Sequence, residues 1–512
     1  MRQKSYLFLL GVLLVFSPYV AMVVLQSSIN VQGGLGLYSL GLAYGTSVLF
    51  TLLVNPVIIR RFGSKRALLA GEVTYIIYFL ANFFPESYTL LPAGIIVGAG
   101  EALTWTVFVM YSLQFGQQIA KLLSKQEHQY AEKYSGRFVA TFQLSQILGN
   151  LISYAILYGG KNHSGNYLPN NTTTNSSVKM VTSDFRYCGA NDCQNANLTR
   201  EALDQYKPQD PHTMYILISV MIFVSICGIV THSLILPSGE LSNLTITKVN
   251  PEGKEENIFI AEKDHLKDKN RVESPNAEQL AKNGCQLVLN TFKTTFNHVC
   301  SKYQLLITPL TICYGFHVSF IMGELTRAYT SCILGVEQVG FTVAIFAAVD
   351  GTVALACKKI VQLFGRNRII LVALVQDLAV YTFCVFWNPQ INTTWVVYLI
   401  FLMFGATDGI WKTMLIVIYQ DYFPKCQEIA FSAWNMWITI GITLQFLFST
   451  MICVYTKIYI KMSLFLLGVL LYGVAEYIRK KERVAGKINK ATGPVASEMR
   501  EISPLNENQS SI

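Results

Sequence analysis

Arg61-Phe62-Gly63-Ser64-Lys65-Arg66 and Leu363-Phe364-Gly365-Arg366-Asn367-Arg368 are two versions of one short basic turn, set about three hundred residues apart. Each follows a long apolar stretch, Tyr38 to Ile59 in the first case and Gln338 to Cys357 in the second. A similar offset relates Gly36-Leu37-Tyr38-Ser39-Leu40-Gly41 to Gly335-Val336-Glu337-Gln338-Val339-Gly340. It also relates Gly98-Ala99-Gly100-Glu101 with Trp105 to Gly405-Ala406-Thr407-Asp408 with Trp411, so a carboxylate followed by a tryptophan recurs. The chain is a parallel duplication.

Composition says what was duplicated. Of 512 residues, 52% are apolar and only 14% charged, far fewer charges than a soluble domain carries. Crossing the hydrocarbon layer takes ~20 apolar residues in a helix, because lipid offers no partner to an unpaired backbone group. Six such spans are expected at Ser5 to Leu25, Tyr38 to Ile59, Ala67 to Phe84, Tyr88 to Leu113, Gly136 to Tyr158 and Thr213 to Leu236. Six more follow at Tyr303 to Met322, Gln338 to Cys357, Ile369 to Trp387, Trp395 to Tyr419, Ile429 to Cys453 and Ile458 to Ile478. The first is read as a span and not a cleaved signal, since no small-x-small site follows it and Gln26-Ser27-Ser28 leads into another span.

The net charge of +9 forms no single patch, which excludes a nucleic-acid surface; the basic residues recur between alternate spans. They fall at Arg2 and Lys4, Arg60 to Arg66, Lys121 to Arg137, Lys358 to Arg368 and Arg479 to Lys490, while Gln26 to Leu37 and Asn388 to Thr394 carry none. Because Lys and Arg accumulate in cytoplasmic loops, both termini are expected in the cytoplasm. The long outer loop, 159–212, agrees: it holds sequons at Asn162, Asn170, Asn171, Asn175 and Asn197, glycosylated only on the lumenal side. The same loop holds Cys188 and Cys193, for which a Cys188–Cys193 disulfide is expected in an oxidising compartment. The other nine cysteines lack metal-ligand spacing and read as small apolar filler, so no metal or cofactor is expected. Residues 237–302 are polar and mixed in charge, a cytoplasmic linker between the six-helix halves 1–236 and 303–478; 479–512 is a cytoplasmic tail. Six spans, a linker and six more spans in parallel symmetry give an all-α polytopic membrane protein of the major-facilitator type.

Several stretches carry a more specific likeness. Gln26-Ser27-Ser28-Ile29-Asn30 ahead of Gly34-Leu35-Gly36, Cys188 to Cys193, Glu324-Leu325-Thr326-Arg327-Ala328-Tyr329-Thr330-Ser331-Cys332 with Leu334-Gly335, and Asp350 after Phe346-Ala347-Ala348-Val349 together resemble the Unc-ninety-three family, nearest its A-type homologues. That resemblance spans the chain from the first to the twelfth span. It implies a major-facilitator fold in a family whose members regulate other membrane proteins, one on a two-pore-domain potassium channel complex and another as an escort of Toll-like receptors. The transporter signature after span two, Gly-x-x-x-Asp-Arg-x-Gly, is degraded: Pro56 replaces its Gly and Arg60 its Asp, and Gln362-Leu363 replaces the second Asp-Arg pair. Losing the latching Asp twice argues against ordinary rocking between two states.

An ionisable group at mid-membrane costs ~2.5 to 3.5 kcal/mol on insertion scales, so it faces protein or water. Glu101 in span four, Asp350 in span eight and Asp408 in span ten qualify as candidates for a cavity or ion-coupling site. Lys412 stands one turn after Asp408, where it either completes a cation- or solute-binding cavity or neutralises Asp408 as a packing pair. Glu72 and Asp377 are expected at edges or on the periphery, snorkelling or packing. Gly41-x-x-x-Gly45 and Gly94-x-x-x-Gly98 are expected to admit close helix packing within the fold. Phosphate-binding, zinc-protease and nucleophile-elbow motifs are absent, so the chain is not expected to be an enzyme. The expectation is a non-enzymatic accessory protein at the plasma membrane, bound to lipid and to another integral membrane protein such as a channel or receptor; the alternative is an ion- or proton-coupled transporter of a small solute, or endolysosomal residence.

Overall fold

The computed structural model describes residues 1–165, 185–193, 211–236, 246–249, 255–258, 301–424 and 427–492. The sequons at Asn170, Asn171, Asn175 and Asn197, most of the linker and the tail beyond 492 lie outside them, and Asn162 falls in the last turn of a helix. Among the described residues twelve long helices form the bundle. The first six are α1 (Arg2–Ile29), α2 (Leu35–Leu53), α3 (Ser64–Ala81), α4 (Ser87–Leu122), α5 (Glu127–Gly165) and α6 (Pro211–Ile235). After a break at Val54, α2 resumes as Asn55–Phe62, with Pro56 in the first turn where its missing N–H costs nothing. The second six are α7 (Lys302–Phe320, continued to Leu334), α8 (Val339–Phe364), α9 (Arg366–Phe386), α10 (Val396–Tyr422), α11 (Gln427–Phe448) and α12 (Val454–Thr492). Between α6 and α7, Ile246–Val249 and Glu255–Ile258 pair as an antiparallel hairpin.

Among the described residues ten helices are long and apolar enough to cross a membrane on those criteria alone. The other two, α3 and α5, occupy span positions in the same bundle. Lys65, Arg66 and Glu72 all fall within the eighteen-residue α3, while α5 buries Ser145, Gln146, Asn150 and Ser153 against other helices. A helix that turns its polar face to protein need not be apolar all round.

The duplication is visible in the packing. In the first half α1 packs on α5 and α6, and α4 on α2 and α3; in the second α7 packs on α11 and α12, and α10 on α8 and α9. The basic turns match as well: Gly63 and Gly365 sit at φ +80° with ψ 157° and 149°, a region open only to glycine. The halves meet where α5 faces α8, α2 faces α11 and α1 faces α7. Gly41 and Gly45 line the α2–α11 seam against Leu447 and Thr443. Gly94 and Gly98 admit the α2 backbone at Ser39 and Ala43 instead. A Cβ at Gly41, Gly94 or Gly98 would stand within 3.0 Å of those neighbours.

Two charged clusters in one bundle

The basic turns mark one end of the bundle, here the basic end; the opposite end carries two disulfides. Cys188 pairs with Cys332 at the end of α7, and Cys193 pairs with Cys453 between α11 and α12. The expected Cys188–Cys193 bridge is therefore corrected, and two of the nine cysteines read as filler are half-cystines. The reason is where the loop lies. Gly189–Asn191 forms a 3-10 turn that lays the loop across the ends of α7 and α12, and the Val454 N–H donates to the Asp192 carbonyl at 2.9 Å.

Beneath that loop is a buried ion quartet. From Ile321 to Ser331, α7 widens into a π-helix, as helices often do at functional sites, and its Glu324 and Arg327 pair at 2.8 Å. Arg327 also meets Asp192 at 2.9 Å, and Lys457 of α12 meets Glu324 at 2.7 Å. The Ser449 hydroxyl donates to Glu324 as well. These two bases and two acids are all at most 5% exposed, so the cluster is buried. Apart from Asp350, which lies deeper in the bundle, the remaining family-motif residues gather at the same end. Gln26 donates to Asn82 at 2.7 Å and accepts from Asn30, tying α1 to α3. Ser27 bonds Thr326 at 3.0 Å, and Ser331 donates to Ser28 at 2.7 Å, which joins the halves. Gly34 and Gly335 turn the chain at φ +68° and +99°, while Gly36 lets α2 lie against the Gln26 carbonyl. Lys457 and Asp192 escape a sequence reading that starts the last span at Ile458. The signal that could have found the lysine is its spacing of four from Lys461, one helix face at the mouth of an apolar run.

The second cluster lies at mid-bundle, and it contains three of the four expected site residues. Lys412 meets Asp350 of α8 at 2.7 Å and Asp408 of its own helix at 3.3 Å. Gln143 of α5 donates to the same Asp350 oxygen, so a first-half side chain reaches a second-half acid. Both aspartates are at most 3% exposed, whereas Lys412 is 28% exposed. Glu101 stands apart from this group and accepts from the Tyr19 hydroxyl at 2.8 Å, with Tyr19 stacked on Tyr75.

The repeated tryptophans have diverged. Trp411 donates to Asp377 at 2.5 Å in the C-terminal core, while Trp105 packs edge-on against Phe138 and Phe142. Asp377 is thus packed, one of the two roles expected of it. Glu72 does not snorkel: it is fully buried and meets His232 Nδ1 at 2.5 Å, with His232 Nε2 donating to the Phe8 carbonyl at 3.0 Å. Gly11 provides the room, since a Cβ there would strike the imidazole. The basic end holds charge pairs of its own. Arg366 bonds Asp421 at 2.8 Å and reaches Glu476, and Arg479 grips both oxygens of Asp421.

Twelve helices in two like halves with polar groups at their seam define a membrane protein of the major-facilitator fold. A solved structure of a proton-dependent oligopeptide transporter superposes with a TM-score of 0.55, covering 94% of this chain and 100% of that one at 10% identity. Residues 27–472 match the family described as "Ion channel regulatory protein UNC-93", and the chain belongs to that family. Protein unc-93 homolog A of Xenopus laevis is 28% identical over 472 residues, 92% of each chain. The Caenorhabditis elegans unc-93 protein, whose name contains the words "potassium channel regulatory protein", is 23% identical over 91% of this chain and 59% of its own length. The family description is regulatory rather than catalytic.

Proposed function

We propose that this chain binds another integral membrane protein within the bilayer and sets that protein's activity or its trafficking, with a potassium channel as the favoured partner class. The observation that carries the reading is the match over residues 27–472 to a family of ion channel regulators. The geometry supports it: Glu324, Arg327, Gln26 and the motif serines pair with one another, with Thr326, with Asn30 and Asn82 and with Lys457 and Asp192 in an internal clamp at the cystine end. The basic end is then cytoplasmic with both termini, the cystine end is extracellular, and residues 237–302 link the halves inside a plasma-membrane protein. Purification from native tissue in mild detergent should retain a stoichiometric membrane partner, and co-expression with a responsive potassium channel should change its current. Repeated recovery of the protein alone, with channel currents unmoved, contradicts the reading.

A second reading, coupled transport of a small solute, is favoured by one observation: the Asp350–Asp408–Lys412 cluster lies where Gln143 brings the halves together. Uptake abolished by Glu101→Gln or Asp408→Asn, with surface expression intact, would rank transport first.

A further inference from the structure

The mid-bundle cluster does not balance. Two carboxylates, Asp350 and Asp408, face one ammonium, Lys412, and the Tyr314 hydroxyl of α7 and the Gln143 amide of α5 bring no charge. Lys412 and Gln143 engage one oxygen of Asp350, and Lys412 engages one oxygen of Asp408. The other oxygen of each, Oδ1, is buried without a hydrogen-bond partner. An ionised carboxylate withdrawn from water is tolerated only when its charge and its remaining lone pairs are met. As it stands the mid-bundle cluster is one positive charge short, and its open side is Lys412, which reaches solvent.

We propose that Asp350 and Asp408 bind one small monovalent cation, a proton or an alkali-metal ion, through their free Oδ1 atoms, with Lys412 as the resident counter-charge. The surplus is a single charge and an ammonium already stands between the acids, which disfavours a divalent ion. Asp350 also accepts from Gln143, so the ion bears on the seam between the halves and its occupancy changes how firmly they are joined. This deepens the second reading above, but it requires binding only, so a failure to find transport leaves it standing.

The test is thermal unfolding of the purified full-length chain in detergent at fixed ionic strength, in lithium, sodium, potassium or choline chloride, from neutral to mildly acid pH. Choline holds screening constant. A saturable stabilisation by an alkali cation over choline identifies a metal ion; stabilisation by acid alone identifies a proton. Either response should weaken by at least about tenfold in half-saturating concentration in Asp350→Asn and Asp408→Asn, as the loss of about 1.4 kcal/mol of binding requires. It should persist in Glu72→Gln. Lys412→Met works in the opposite sense: with the resident ammonium gone, half-saturation should fall. Should the aspartate variants fail to fold, the wild-type and Lys412→Met curves decide. A response identical in every salt and at every pH, or one unchanged in Lys412→Met, overturns the proposal.

Discussion

Arg327 is the residue on which most depends, because two acids converge on it under a closed loop at 1% exposure. Truncation to Ala removes the guanidinium that Glu324 and Asp192 share, and breaking a buried pair costs ~3–5 kcal/mol. Arg327→Ala should therefore lower the unfolding temperature and the yield sharply, as fluorescence-detected size exclusion of heated samples would show. Arg327→Lys should rescue little, since a point charge cannot span both acids as the guanidinium fork does. Asp408, Asp350 and Lys412 were legible as candidates because a charge in an apolar run stands out. Their convergence was only half legible: the i, i+4 spacing gives Asp408–Lys412, but nothing local announces that α8 brings Asp350 to the same nitrogen. For Glu72, packing, one of its two expected roles, is what the structure has, but its partner was hidden, as His232 lies 160 residues away and a histidine in a span carries little weight by itself.

Among the elements, α2 and α4 show how little room the bundle has. Gly98 faces the Ala43 carbonyl and Gly94 the Ser39 carbonyl, so a side chain at either has backbone to displace. Overpacking of this kind costs ~1–3 kcal/mol, and Gly98→Val should destabilise more than Gly351→Val, whose Cβ meets open space. A thermal-shift comparison of the two separates crowding from helix propensity, which both share. Element existence was largely legible, since apolar runs of span length admit few alternatives. Element ends were not: α4, α5 and α12 run past their expected spans because hydropathy marks the bilayer, while hydrogen bonding continues the helix into water. Nor was the π-helical stretch of α7 visible, for its side chains pair with a loop and a helix more than a hundred residues away.

At the scale of the molecule, the disulfides join residues of the first half to residues of the second, across 144 and 260 positions of sequence. Protease cleavage confined to the segment between α6 and α7 should thus leave both halves migrating as one species without reductant and as two with it. Peptide mapping should recover Cys188 with Cys332 and Cys193 with Cys453; a Cys188–Cys193 peptide would contradict the structure. The duplication itself was legible from a few glycines and basic residues. The clamp was not, because two cysteines five positions apart suggest each other before they suggest partners in distant helices. The clamp also sets a timetable for biosynthesis. When the loop bearing Cys188 and Cys193 leaves the ribosome, neither partner yet exists, and Cys453 arrives only after eleven spans have been translated. A nascent chain can form neither final cystine until α7 has been made, and the second only once α11 has. Formation of both cystines thereby reports that synthesis has passed the eleventh span, and a chain truncated before Cys453 would leave a thiol for quality-control machinery to find.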